Sequence, residues 1–137
     1  MKIDKVLTIN DTLQPDFWLE NTLSDEISDK LVEVATNFID ELGLEGVDIE
    51  NITFTGSLAN YNWTKYSDID LHLLVDFSKI DDNTELVREY FNAKTGLWNK
   101  MHSIMIKNYE IEIYVQDINE EHHSTGVYSI LNDEWIA

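Results

Sequence analysis

The chain has 137 residues, 43% of them hydrophobic and 11% aromatic, and a formal charge of −18 from nine Lys and Arg against 27 Asp and Glu. That size suits one domain with one core, and the apolar content excludes a disordered acidic tail, while the absence of cysteine excludes disulfides and thiolate metal sites. So few bases argue against a long nucleic-acid groove or an anionic membrane as partner; with no apolar run long enough for a span or a signal peptide, a soluble, cytoplasmic protein is expected.

In chain order, residues 1–23 carry the only proline, Pro15, and the pair Phe17-Trp18, and are expected to form an N-terminal strap against the core. From Ser24 the pattern is helical. Ser24 can cap, Asp25 and Glu26 suit the positive end of a helix, and Ile27, Leu31, Val34, Phe38 and Leu42 recur every three to four residues until Gly43 ends the run. Ile52–Thr55 reads as a short buried strand running into Gly56-Ser57, followed by a helical or looped segment to about Lys65. From Asp68 to Asp76 the residues alternate, with Ile69, Leu71 and Leu73 on one face and Asp68, Asp70 and His72 on the other. A second helix is expected over about Asp82–Trp98, capped by Asp82 or Asn83 and presenting Leu86, Tyr90 and Leu97. Ser103–Ile106 and Glu110–Val115 flank Lys107-Asn108 as a hairpin, and Gly126–Leu131 suggests one more strand in a C-terminal extension, residues 118–137. The whole, residues 1–137, reads as a single α/β (α+β) domain with helices and strands interleaved.

The chemistry concentrates in Phe54-Thr55-Gly56-Ser57, a ten-residue gap after Ser57, and Asp68-Ile69-Asp70. A glycine at a strand end lets backbone approach a ligand, and a serine opening a helical turn can donate to phosphate. Aspartates two apart on a strand project from the same face and can share Mg²⁺ or Mn²⁺, hard cations that bind carboxylates together with substrate phosphates. A solvated edge strand would show the same alternation, and in so acidic a chain the pair Asp48/Glu50 is best read as chance. The order and the strand contexts together point to a phosphate cradle beside a carboxylate pair.

Gly-Ser, a short gap and acid-hydrophobic-acid resemble the signature of the DNA polymerase β-like nucleotidyltransferase superfamily. The matching stretch is Phe54 to Asp76, and the order of elements extends the likeness to about residues 25–117. The resemblance implies a small mixed β-sheet with helices packed on it, two metal-binding aspartates (Asp68 and Asp70), a triphosphate held at Gly56-Ser57, and a third carboxylate on a later strand. Glu110 and Glu112 are two apart, so spacing does not separate them. Glu112 lies between two isoleucines and occupies the position of the third acid in small phage and bacterial members, whose segment resembles Ile111–Gln116; most members carry aspartate there.

The implied activity is metal-dependent transfer of a nucleoside monophosphate from a nucleoside triphosphate to a hydroxyl of a small molecule or protein, the acidic surface disfavouring long nucleic acid. The implied catalytic and metal residues are Asp68, Asp70 and Glu112, the nucleotide-binding residues Gly56 and Ser57, with Lys65 as a further phosphate contact or an ordinary surface lysine. Minimal stand-alone members often need a partner chain or a second copy, and some pair with toxins as antitoxins. The alternative is a nucleotidyltransferase fold kept as a partner-binding or nucleotide-sensing module without turnover. Elsewhere, His122-His123 suggests a metal pair but lacks a third ligand. His72 shares the aspartate face. Tyr61, Trp63 and Tyr66 suit either a base or the core. Trp98 and Asn99 suit the core, and the Tyr128 region suits closure of the nucleotide pocket.

Overall fold

The computed structural model describes residues 9–43, 47–120 and 126–137. In chain order the elements are β1 (Trp18–Leu19), β2 (Thr22–Leu23), α1 (Asp25–Leu42), β3 (Asn51–Thr55), β4 (Ile69–Val75), α2 (Thr84–Met101), β5 (Met105–Ile106), β6 (Tyr109–Asp117), β7 (Tyr128–Ser129) and β8 (Glu134–Trp135). Short 3-10 turns at Ser57–Ala59 and Phe77–Lys79 follow β3 and β4. The fold is therefore mixed α+β. β3 to β8 form one mixed sheet in the order β5-β6-β4-β3-β7-β8, in which only β4 and β6 are parallel; β1 and β2 form a separate hairpin. Among the described residues no helix is long and apolar enough to cross a membrane.

Local chemistry accounts for several element ends. The Ser24 hydroxyl accepts from the Ile27 amide, and Gly43 closes α1 at φ 64°, a left-handed position that costs glycine no steric clash. α1 buries Ile27, Leu31, Ala35 and Phe38. The β5–β6 hairpin turns through Lys107 and Asn108, both at positive φ, as a tight two-residue turn requires. β4 and β6 are joined by α2, the helical crossover that parallel neighbours need.

Strand register divides the sheet into two unlike faces. Ile52 and Phe54 of β3, Ile69, Leu71, Leu73 and Val75 of β4, and Ile111, Ile113 and Val115 of β6 share the face that forms the core with the helices. On the other face stand Thr53 and Thr55, Asp70 and His72, and Glu112, Tyr114 and Gln116. At about 1.5–3 kcal/mol for each fully buried large aliphatic or aromatic side chain, a one-residue slip of β4 would forfeit several such burials, so the polar face is fixed by the apolar one.

Three expectations are corrected. The second helix runs Thr84–Met101 with Asn83 as its cap, and it buries Val87, Phe91, Thr95 and Trp98; Leu86 and Leu97 are 55% and 54% exposed, with only Tyr90 of that set partly packed on the core. Both sets of apolar residues obey helical spacing, and the aromatic pair Phe91 and Trp98 claims the core. Tyr128 is buried on the helix-covered face opposite Phe54, where it packs edge-on against Trp18 and Trp135, and so does not close the acidic face. Among its described residues the C-terminal extension contributes two strands of the main sheet, β7 and β8, rather than one. Within the strap, Leu13, Phe17 and Trp18 are buried.

Candidate functional site

β3 delivers its chain to the site through Gly56. Gly56 adopts φ 86°, ψ −170°, a conformation almost confined to glycine. A Cβ built there would lie 2.3 Å from Asp70 Oδ2 and 3.1 Å from its Cγ, so the glycine is needed both for its backbone and for the space it leaves the carboxylate. The 3-10 turn then starts at Ser57, whose hydroxyl donates to Ser67 Oγ at 2.6 Å; Ser67 Oγ also accepts from the Thr64 amide at 2.9 Å. The loop between Ser57 and Asp68 is thus tied shut at its neck.

The strap grips the same loop from outside. Trp18 Nε1 donates to the Leu58 carbonyl at 2.8 Å, Trp63 Nε1 to the Thr12 carbonyl at 2.8 Å, and Asn10 Nδ2 to the Trp63 carbonyl at 2.7 Å. Tyr61 and Tyr66 stay exposed. Lys65 is exposed with its ammonium over the Tyr66 ring, 5.2 Å from the centroid, and among the described residues no ion pair joins it to Asp68 or Asp70.

The parallel pairing of β4 with β6 sets Asp70 directly beside Glu112, and the antiparallel pairing with β3 sets Thr55 on its other side. Three strands therefore present Thr55, Asp70 and Glu112 in one row, with Asp68 just before β4 and Glu110 two residues before Glu112 on the same face. Burial first, then the Glu112 and Asp68 charges, push the Asp70 carboxyl up to about 6 from an ordinary 3.8. Loss of water on one side, then Glu112 and Glu110, raises Asp68. Glu112 accepts a 2.5 Å hydrogen bond from the Tyr114 hydroxyl, and that bond, followed by burial, holds the Tyr114 phenol well above its usual range. His72 Nδ1 lies 3.1 Å from Gln116 Oε1, and its ring is tilted against Tyr114 with centroids 5.1 Å apart.

Neither a family model, nor a curated protein, nor a solved structure matches the chain.

Two observations test whether a hard divalent cation suits this row. The donors are carboxylate oxygens whose mutual repulsion a cation would relieve, and the Thr55 hydroxyl, in a residue 7% exposed beside Asp70, has no hydrogen-bond partner. The donor set fits Mg²⁺ or Mn²⁺. As the side chains stand, no three His or acidic groups among the described residues are gathered closely enough to hold an ion, and Glu112 must turn from Tyr114 to join Asp70. His122-His123 lies outside the described residues.

From the sequence, Thr55 stood only as part of the Phe54–Ser57 stretch with no role of its own, and Ser67 and Tyr114 had none. Tyr114 was visible as the same-face neighbour two residues after Glu112. Thr55 acquires meaning only from its register with Asp70, and Ser67 only from the closure of its loop onto Ser57.

Proposed function

We propose that the protein is a metal-dependent nucleotidyltransferase, moving a nucleoside monophosphate from a nucleoside triphosphate to a hydroxyl on a small molecule or protein. One observation carries the reading: the Gly56-Ser57 turn abuts the Asp70 carboxylate so closely that no side chain fits between them, while Glu112 flanks Asp70 on the parallel strand. A phosphate cradle and a carboxylate cluster then share one corner of the sheet.

Asp68, Asp70 and Glu112 are the residues that would hold Mg²⁺ or Mn²⁺. Such ions neutralise the triphosphate and make an acceptor hydroxyl easier to ionise. They are needed here on electrostatic grounds, since the carboxylates of Asp68, Asp70 and Glu112 would repel a bare triphosphate. Ser57, released from Ser67, donates to the leaving pyrophosphate, and Gly56 lets the backbone come close to it. Lys65, on the same loop, would leave the Tyr66 ring to reach the phosphate tail. Glu112, turned away from Tyr114, would accept the proton of the acceptor hydroxyl. The acceptor oxygen bonds to the α-phosphorus as the bond to the β-phosphate oxygen breaks, and pyrophosphate departs.

The test is a thermal-shift screen of the four ribonucleoside triphosphates, with and without Mg²⁺ or Mn²⁺, on the wild type and Asp70→Asn. A triphosphate at a hundredfold excess over its Kd should raise the Tm by roughly 10 °C, only with metal and only in the wild type. Thr55→Val, nearly the same shape without the orphan hydroxyl, should keep its own Tm but show a smaller shift. A full shift in Asp70→Asn overturns the metal assignment. No shift with any triphosphate overturns the enzyme reading in favour of a partner-binding module on the same fold.

A further inference from the structure

α2 carries two apolar stripes where a helix lying on one sheet needs one. Val87, Phe91, Thr95 and Trp98 are buried against the sheet. Leu86, Tyr90, Ala93, Leu97 and Met101 form a second stripe, with Leu86, Leu97 and Met101 exposed by 55%, 54% and 70%. At 3.6 residues per turn these five fall within an arc of about 80°, offset by roughly 120° from the core stripe, and extend about 22 Å along the axis. Single exposed apolar residues are ordinary on a protein surface, but a continuous row along a whole helix marks a contact surface.

The charge pattern indicates what the stripe meets. α1 carries six acids against one base, whereas α2 carries Glu85 and Glu89 against Arg88, Lys94 and Lys100. In a chain of net charge −18, the apolar stripe thus lies on the less acidic of the two helices, where two copies repel each other less than through α1. The stripe is also symmetric about the midpoint between Ala93 and Lys94. Antiparallel pairing with a second α2 sets Leu86 against Met101 and Tyr90 against Leu97, each contact occurring twice.

The same pairing sets Glu89 of one copy near Lys100 of the other, because both residues lie on one flank of the stripe. Neither Glu89 nor Lys100 is in an ion pair among the described residues. Gly96 lies on that flank as well; among the described residues its Cβ would meet nothing within 4 Å, so no contact among them explains a helix-interior glycine that costs about 1 kcal/mol relative to alanine. A close helix approach would explain it. Hollows stand at the two ends of the stripe, about 230 Å³ beside Leu86, Tyr90 and Ile80 and about 170 Å³ beside Leu97, Met101 and Phe38. The first can receive Met101 of a second copy and the second its Leu86.

We infer that the protein forms a two-fold dimer through antiparallel packing of the Leu86–Met101 stripe of α2 against the same stripe of a second copy. The contact lies in the helix layer, across the sheet from Asp70 and Glu112, and does not depend on the reading of that acidic face.

Sedimentation equilibrium over a concentration series tests it. The wild type should pass from 16.0 kDa to twice that mass as concentration rises. Leu97→Asp, at an exposed position that leaves the core intact, should weaken the dimer by more than about tenfold. Glu89→Lys and Lys100→Glu should each weaken it by about tenfold, and the double variant should restore it. A wild type that stays at 16.0 kDa up to its solubility limit overturns the inference and leaves the stripe to a different protein. A dimer indifferent to Leu97→Asp, or a double reversal no better than the singles, overturns it too.

Discussion

At Asp70 the fold works against its own ionisation. Folding moves this carboxyl from 3.8 to about 6, through burial and the charges of Glu112 and Asp68. The folded state therefore holds the proton more tightly than the unfolded chain does. The stability this confers is complete below about pH 4 and is lost as pH rises through about 6. In divalent-free buffer Asp70→Asn, which cannot ionise, should have a higher Tm than the wild type at about pH 8, by a margin that closes as pH falls toward about 4. Paired melting curves across that range check it, and a variant no more stable at the alkaline end would refute the charge-repulsion account. The spacing of Asp68 and Asp70 implies a common face, and Asp70 stands on it beside Glu112, with Asp68 just before the strand. Their neighbours were not. Spacing left Glu110 and Glu112 equivalent, and only the parallel register places Glu112 beside Asp70, while Glu110 adds its charge to Asp68.

Between elements, a side chain finishes what a short strand leaves undone. β5 is two residues long and leaves the edge of β6 bare beyond its start. Asn99 of α2 covers that gap, accepting from the Ile113 amide through Oδ1 and donating to the Ile113 carbonyl through Nδ2, each at 2.9 Å. It does the work of a missing strand residue on an edge that could otherwise pair with another chain. Asn99→Ala should lower stability by about 2 kcal/mol, read from a urea midpoint shifted at constant slope, because two backbone groups lose their partners. α1, β4 and the β5–β6 hairpin could be read from sequence because Ser24, Gly43, the alternation after Asp68 and Lys107-Asn108 each carry a local physical cause. α2 could be located but not oriented, since Leu86, Tyr90 and Leu97 are as regular as Val87, Phe91 and Trp98. The two-residue strands β1, β2 and β8 are too short to show any period, and they exist only through their pairing.

Over the whole molecule the charge of −18 sets a background against which the site must be judged. Self-repulsion of this size is screened by salt, the screening length falling from about 30 Å at 0.01 M to about 3 Å at 1 M. NaCl should therefore raise the Tm of the wild type and of Asp70→Asn alike, while Mg²⁺ in high salt should add a further rise in the wild type alone. Equal Mg²⁺ increments in both proteins would assign the ion to the general surface and not to the acidic row. The indole of Trp18 stacks on that of Trp135 with centroids 4.9 Å apart, and Trp135 Nε1 donates at 2.7 Å to the carbonyl of Asn21, 114 residues away. Closing so long a stretch costs about 4 kcal/mol of chain entropy before any contact repays it. On a ribosome, where the chain emerges in order, the Trp18–Trp135 stack and the Trp135–Asn21 bond can form only after Trp135 has cleared the exit tunnel. Through Trp18 and Leu58 the loop bearing Ser57 is tied to that contact, so its outer support is completed only when residues more than a hundred positions apart have met.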